Sequence, residues 1–393
     1  MATILESAVD REVSIYRSAR PVVGFAQAKD LAAEHGTPLL CFSRSVVGQN
    51  YDLLCRGLPG VEFFYAAKSN PNATILTTLR EAGCSIDVCS VGELQAALAA
   101  GFTPSQMLHT HPCKTLTNLK TCYDAGLRWF VYDNSTELRK MHEQTPDVTL
   151  LLRIAMTSAS SLINLSAKFG CAPAEAVRLL EEARRLGMRV NGISFHVGSQ
   201  TTSPDDYDTA LRIARSIFDQ AAERGIELEV LDIGGGMPAP YRESVLTLEA
   251  YCDVVQQSLE SHFGDLPVRI IAEPGRVISA NSATLVTQVI GKSVRPNGST
   301  QYIIDDGLYG SFSGKVFDHT DFPILAEDAM VRPTYPCVVA GPTCDSTDIV
   351  CRDQDLPDLD IGELLLVPTM GAYTNASAST FNGLDLARQI SVE

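Results

Sequence analysis

The stretch Glu62-Phe63-Phe64-Tyr65-Ala66-Ala67-Lys68-Ser69-Asn70-Pro71 runs five apolar residues into one lysine and then a Ser-Asn-Pro breaker. The apolar run reads as a buried strand that leaves Lys68 at its exit. Desolvation at an apolar strand end lowers a lysine's pKa and frees its lone pair for a Schiff base. A snorkelling lysine with its head in water is the plainer reading of the same residue.

Outward from this stretch, short apolar runs recur at 62–67, 85–89, 106–110, 129–132, 149–155, 192–197, 228–233 and 268–272. Amphipathic helical patterns lie between them at 73–82, 91–100, 114–125, 135–144, 174–186, 205–224 and 247–262. Alternation of strand and helix implies parallel pairing, and eight units imply a closed (β/α)8 barrel. An open doubly wound sheet is the other topology the alternation allows. After residue 277 the texture changes. Strand-like runs at 277–291, 301–304, 316–318, 335–341 and 363–368 are separated by turn residues, as in a mostly β domain. The expected division is an N-terminal segment 1–43 lending a strand to the β domain, a barrel over 44–276, and a C-terminal β domain over 277–393.

The 393 residues carry 31 Lys and Arg against 47 Asp and Glu, a net charge of −16. That balance disfavours nucleic acid and anionic membranes as partners. No apolar run reaches membrane-spanning length, and the first twelve residues carry early acids with no signal-like core. The expectation is a cytoplasmic protein. Eleven cysteines at irregular spacing, with no Cys-x-x-Cys and no Cys/His cluster at zinc spacing, point to a reducing compartment and to no metal site.

In such a barrel, chemistry gathers at the C-terminal ends of the strands. Lys68 ends the first expected strand. Asp87 and Cys89 end the second, His109 and His111 the third. Arg153 lies in the fifth, His196 ends the sixth, Gly234-Gly235-Gly236 follows the seventh, and Glu273-Pro-Gly-Arg276 follows the eighth. A triple glycine lets backbone amides approach an anion, and barrel phosphate sites commonly follow strands seven and eight. A Schiff-base lysine with a phosphate cradle points to pyridoxal 5′-phosphate, whose electron sink works best with a protonated ring nitrogen. Glu273 is the candidate carboxylate for that nitrogen, and His196 the candidate to stack on the ring. A strand-end salt bridge and a core histidine are their ordinary alternatives.

The ordered motifs resemble the fold type III pyridoxal-phosphate decarboxylases, whose fold is that of alanine racemase, and most closely the ornithine decarboxylase-like group. The motifs are Phe64-Tyr-Ala-Ala-Lys-Ser-Asn-Pro71, Asp87-Val-Cys-Ser-Val-Gly-Glu93, Leu165-Ser-Ala-Lys-Phe-Gly170, Ser194-Phe-His-Val-Gly-Ser199, Leu231-Asp-Ile-Gly-Gly-Gly236, Ala272-Glu-Pro-Gly-Arg276, Asp306-Gly-Leu-Tyr-Gly-Ser-Phe312, Gly341-Pro-Thr-Cys-Asp345 and Met370-Gly-Ala-Tyr-Thr374. The resemblance covers nearly the whole chain, from about residue 20 to 385. The resemblance implies a head-to-tail homodimer with shared active sites. It implies that Lys68 carries the cofactor, Glu273 meets the pyridine nitrogen and His196 stacks. It further implies that Ser199, Gly234, Gly235, Gly236, Arg276 and Tyr373 hold the phosphate, that Asp87 and Arg153 lie near the ring, and that Cys344 and Asp345 enter from the partner subunit. Cys344 would return a proton to Cα after carbon dioxide leaves. Asp345 and Asp318 would clamp the distal ammonium of a diamino acid, with ornithine or lysine as substrate. Lys168 and Asp348 match an ion pair across the family's dimer interface.

This chain departs from the pattern in places. The family's Ala-Asn-Pro-x-Lys is Thr110-His111-Pro112-Cys113-Lys114 here. Its Cys-Asp-Gly-Leu-Asp is Cys344-Asp345-Ser346-Thr347-Asp348, and Phe317 replaces a common Tyr. The alternatives are a decarboxylase of a specialised pathway, a catalytically inactive regulatory homologue, and an isomerase of the racemase type. The retained Lys68, His196, Glu273, Arg276, Cys344 and Tyr373 argue against a dead homologue, and the Cys-Asp motif against a racemase. No long tail follows the last motif.

Overall fold

A computed structural model describes residues 15–16, 19–156, 160–163 and 167–393. The N-terminal stretch read above and Leu165-Ser166 of one motif lie outside the described residues. The eight expected barrel strands form at Val61–Ala66, Ser85–Val88, Met107–His109, Trp129–Tyr132, Thr149–Arg153, Arg189–Ser194, Val230–Asp232 and Arg269–Ala272. All pair in parallel and in chain order, and the last pairs with the first to close the barrel. Alternation along each strand divides two layers. Phe64, Leu108, Val131, Leu151, Val230 and Ile271 fill the barrel interior. Phe63 and Tyr65, pointing the other way, pack with the apolar faces of the surrounding helices.

All seven expected helices form. The helix Arg44–Gly57, which precedes the first barrel strand, packs against Leu248–Phe263 and Ala73–Glu81 and completes the ring. Its first turn is capped by Ser43, whose Oγ accepts from Val46 N at 3.3 Å.

The second sheet is built on the twelve-residue strand Ala283–Val294. Its first half pairs antiparallel with Leu364–Pro368 on one side and Leu39–Ser43 on the other. Past an irregularity between Val289 and Gly291 it pairs with Thr300–Ile304 instead. Leu39–Ser43 also pairs in parallel with Arg388–Val392. The expected N-terminal strand is therefore present, flanked by strands from the far end of the chain. Two readings are corrected. Residues 316–318, expected as a strand, belong to a helical turn, Gly314–Phe317. Val316 and Phe317, 48% and 65% exposed, offer no buried apolar face to pair. The strand Ile349–Pro357 was not expected, because its Arg-Asp-Gln-Asp centre has no apolar alternation; it pairs on one side only, with Thr334–Ala340. No helix among the described residues is long and apolar enough to cross a membrane.

Candidate active site

The first strand ends at Ala66, and Lys68 follows in a tight 3-10 turn, Ala67–Ser69. Three bonds fix that turn to the β domain and to the next helix. Tyr373 N donates to Ser69 O (2.8 Å), Asn70 Nδ2 donates to Gly371 O (2.8 Å), and Asn70 Oδ1 accepts from Asn72 N (3.0 Å). Asn72 in turn caps the helix Ala73–Glu81. Tyr373 holds its place at φ 53°, an uncommon conformation for a bulky residue.

Lys68 Nζ lies 3.6 Å from Asp87 Oδ2, with Asp87 fully buried. Burial alone pulls the amine down, but Asp87 first, then Cys89, Glu273 and Tyr373, pull it up, and the net pKa is raised. The expectation of a depressed lysine is thus corrected: the ionised neighbour outweighs desolvation. Asp87 itself is pushed up to about 6 by burial and Glu273, against the lowering pull of Lys68 and Thr110. Thr110 Oγ1 donates to Asp87 Oδ1 at 2.6 Å and Thr110 N donates to the same oxygen at 3.3 Å. The Asp87–Glu93 motif also ends its strand cleanly: Ser90 Oγ accepts from Glu93 N, and the Glu93 carboxylate accepts from Cys89 N at 2.6 Å.

Across the mouth, His196 Nδ1 accepts from Gly198 N at 3.0 Å. Burial, with the charges of Arg153 and Lys68, holds its pKa well below the ordinary value, so the ring is neutral with its proton on Nε2. Glu273 is pushed well above the carboxylate range by burial and by Asp232, against Lys68 and Arg153. Arg153 sits over the Phe169 ring at 5.5 Å. The glycine turn is pressed against this floor. A Cβ on Gly235 would stand 2.5 Å from Glu273 O, and one on Gly234 2.2 Å from Phe195 O. Gly234 and Gly236 also take φ of 65° and 121°.

Arg276, 4% exposed, donates to Ser199 Oγ (2.7 Å) and Tyr241 OH (2.8 Å) and lies over the Tyr373 ring at 4.7 Å. It is also ion-paired with Asp318. Its Nε is buried without a hydrogen-bond partner among the described residues. An orphaned guanidinium donor beside a bare glycine turn fits a phosphate group, and a lysine amine a short way off fits its aldehyde. The residues present therefore suit pyridoxal 5′-phosphate.

Two groups fall elsewhere. Cys344 is exposed, and its amide donates to Asn382 Oδ1 at 3.0 Å. Asp345 accepts from Tyr309 OH and from Thr347 N at 2.9 Å. These partners are not the neighbours of Lys68. Asp348 is 2% exposed and accepts from Leu308 N, Thr343 N and Thr343 Oγ1 in its own chain. Lys168 lies over Phe169 at 4.9 Å. Asp306 shapes the loop that presents Tyr309, accepting from Gly307 N and Ser311 N. Sequence reasoning missed Thr110, Tyr241 and Tyr309 as site residues. Thr110 was marked only by its departure from the family's alanine, Tyr309 stood in the Asp306–Phe312 motif without a role, and Tyr241 carries no spacing that singles it out.

Residues 45–280 match the family described as pyridoxal-dependent decarboxylase, pyridoxal binding domain. A lysine/ornithine decarboxylase of Selenomonas ruminantium is 39% identical over 368 residues, covering 93% of this chain and 92% of that one. Antizyme inhibitor 2 of Xenopus laevis is 36% identical over 342 residues, covering 84% and 75%. A lysine/ornithine decarboxylase from Vibrio vulnificus, solved with putrescine, superposes with a TM-score of 0.87 at 36% identity, covering 95% of this chain and 99% of that one. With the closed barrel, the β domain and the lysine-to-arginine cleft in place, the chain belongs to the pyridoxal-dependent decarboxylases of fold type III, ornithine decarboxylase-like enzymes that use pyridoxal 5′-phosphate.

Proposed function

We propose that the chain removes the α-carboxyl group of a basic L-amino acid, with L-ornithine giving putrescine and carbon dioxide as the leading reaction. The observation that carries this reading is the convergence of Lys68, Asp87, His196, Glu273 and Arg276 from four strand ends on one cleft. When bound, the cofactor draws electrons from the bond between Cα and the carboxylate. The protein's own groups do the rest. Lys68 anchors the aldehyde carbon and is kept in register by the Ser69 and Asn70 bonds. Glu273, beside Asp232, would meet the ring nitrogen and hold its proton. His196, uncharged, covers a ring face without adding a competing cation, and Arg153 lies near the ring. Arg276, Ser199, Tyr373 and the Gly234, Gly235 and Gly236 amides receive the phosphate.

Cys344 and Asp345 reach this cleft, in our reading, only from a second copy of the chain. Exposed Val316, Phe317, Phe381 and Leu384 lie in the same part of the β domain, an apolar surface suited to burial between copies. Cys344 would then deliver the proton to Cα. Tyr309 holds the Asp345 carboxylate for a distal ammonium, which Asp318 would meet from the other side. L-lysine is the second substrate reading, favoured by relatives named for both activities.

The test is carbon dioxide release from ornithine, lysine, arginine and diaminopimelate, alongside the visible absorbance of the purified protein. Ornithine or lysine should react first, and Lys68→Ala should lose both absorbance and turnover. Release from diaminopimelate alone, or a yellow Lys68→Ala protein, overturns the assignment.

A further inference from the structure

We infer that Thr110 is a positioning residue that sets the proton affinity of the Lys68 nitrogen through Asp87. The inference deepens the function proposed above and rests on it. Asp87 has no exposed surface, so no water replaces a lost partner. One of its oxygens faces Lys68 at 3.6 Å. The other accepts the Thr110 hydroxyl at 2.6 Å, the shortest bond that carboxylate makes. Thr110 is itself 2% exposed, and its single hydroxyl proton is given to Asp87. Cys89 Sγ lies 3.8 Å from the same hydroxyl and 4.0 Å from both Asp87 oxygens, so no stronger donor competes.

The alanine found here in the resembling family offers a backbone N–H at this point but no hydroxyl. This chain has added a donor to a buried carboxylate. A hydrogen bond to a carboxylate favours its ionised form, and an ionised Asp87 favours positive charge on the nitrogen of Lys68. Thr110 thus acts on the reacting group through one intervening carboxylate. The other charges in the setting are fixed by different elements. Glu273 and Asp232 come from the eighth and seventh strands, Cys89 and Glu93 from the second strand's exit, and His111, His196 and Tyr373 face Lys68 from elsewhere.

The experiment uses the cofactor-loaded protein and follows its visible absorbance against pH in the parent, Thr110→Ser, Thr110→Val and Thr110→Ala. The valine keeps the shape and loses the hydroxyl; the serine keeps the hydroxyl and loses a methyl group. We expect Thr110→Val and Thr110→Ala to raise the midpoint of the acid limb and lower that of the basic limb, each by about one pH unit. Thr110→Ser should titrate like the parent. Profiles that superimpose in all four proteins overturn the inference, and so does a serine variant that shifts with the valine, since packing would then be the cause. Should the valine variant fail to fold, the alanine and serine pair gives the same contrast. The absorbance of the parent, lost in Lys68→Ala, tests the proposed function separately, so the two failures are distinguishable.

Discussion

Arg276 and Asp318 form an ion pair in which both side chains are nearly enclosed, 4% and 10% exposed. The sequence assigns them to opposite ends of the bound molecules, the arginine to the cofactor phosphate and the aspartate to the substrate's distal ammonium. In the folded chain they touch. On the function proposed above, a phosphate arriving at Arg276 would compete with Asp318, and the aspartate released from that pairing would be better placed for an ammonium. Asp318→Asn should therefore bind the cofactor more tightly, by roughly tenfold, about 1.4 kcal/mol, while the KM for ornithine rises. Fluorescence titration of the stripped protein with cofactor checks the first half. Weaker cofactor binding in the variant would show that the aspartate organises the arginine rather than opposing the phosphate.

Cys344 and Lys68 should complement each other between chains. Cys344→Ala is expected to keep the cofactor absorbance and lose clean amine formation, because no proton donor meets Cα. Mixing Cys344→Ala with Lys68→Ala after dissociation should restore activity to about one quarter of the parent's, since half of the random dimers would carry one intact site of two. Activity that stays at the level of the separate variants would place both residues in the same subunit's site.

Most of this was legible in the chain itself, and the reasons differ from place to place. Each barrel strand announces itself because a strand covered on both faces must be apolar throughout. The cleft residues stand out because they interrupt such runs at one end. Strand Ile349–Pro357 is the opposite case: paired along one side only, it needs no apolar run, so Arg352, Asp353 and Asp355 hide it. The pKa of Lys68 was misjudged for a related reason. Burial is visible in a run of apolar neighbours, but the carboxylate that outweighs it lies nineteen positions away, on the adjacent strand.

Lys114 offers a stability test independent of catalysis. Its side chain is fully buried, its Nζ donating to Val131 O at 2.7 Å and His111 O at 3.0 Å and pairing with Glu137 at 3.0 Å. Lys140 also pairs with Glu137. Lys114→Met should destabilise the chain by about 2–4 kcal/mol, leaving a buried carboxylate with one partner fewer. Lys114→Met with Glu137→Gln should cost less than the two changes added together. Denaturant unfolding at neutral pH measures both; simple additivity would mean that the pair is not coupled.

Asp306 supplies a pH signature. Burial pushes its carboxyl up to about 6 from an ordinary 3.8, with the Ser311 and Gly307 bonds opposing. The folded state thus holds this proton more tightly than the unfolded chain does. Its contribution to stability is full below about pH 3.8 and is lost as pH rises through about 6, an effect of about 3 kcal/mol. Asp306→Asn, which cannot ionise, should gain on the parent across that window and run parallel to it above. Thermal unfolding at a series of pH values reads the difference; parallel curves from pH 4 to 7 would contradict the raised carboxyl.

The position of Leu39–Ser43 has a consequence for how the molecule is made. This strand is synthesised early, yet the two strands that flank it, Ala283–Val294 and Arg388–Val392, both follow the whole barrel in the chain. At about 5–20 residues per second, the roughly 240 residues before its first neighbour take on the order of 10–50 s to translate. For that time an apolar segment with both edges open travels on the nascent chain, a natural client for a chaperone, while the barrel beside it can already close.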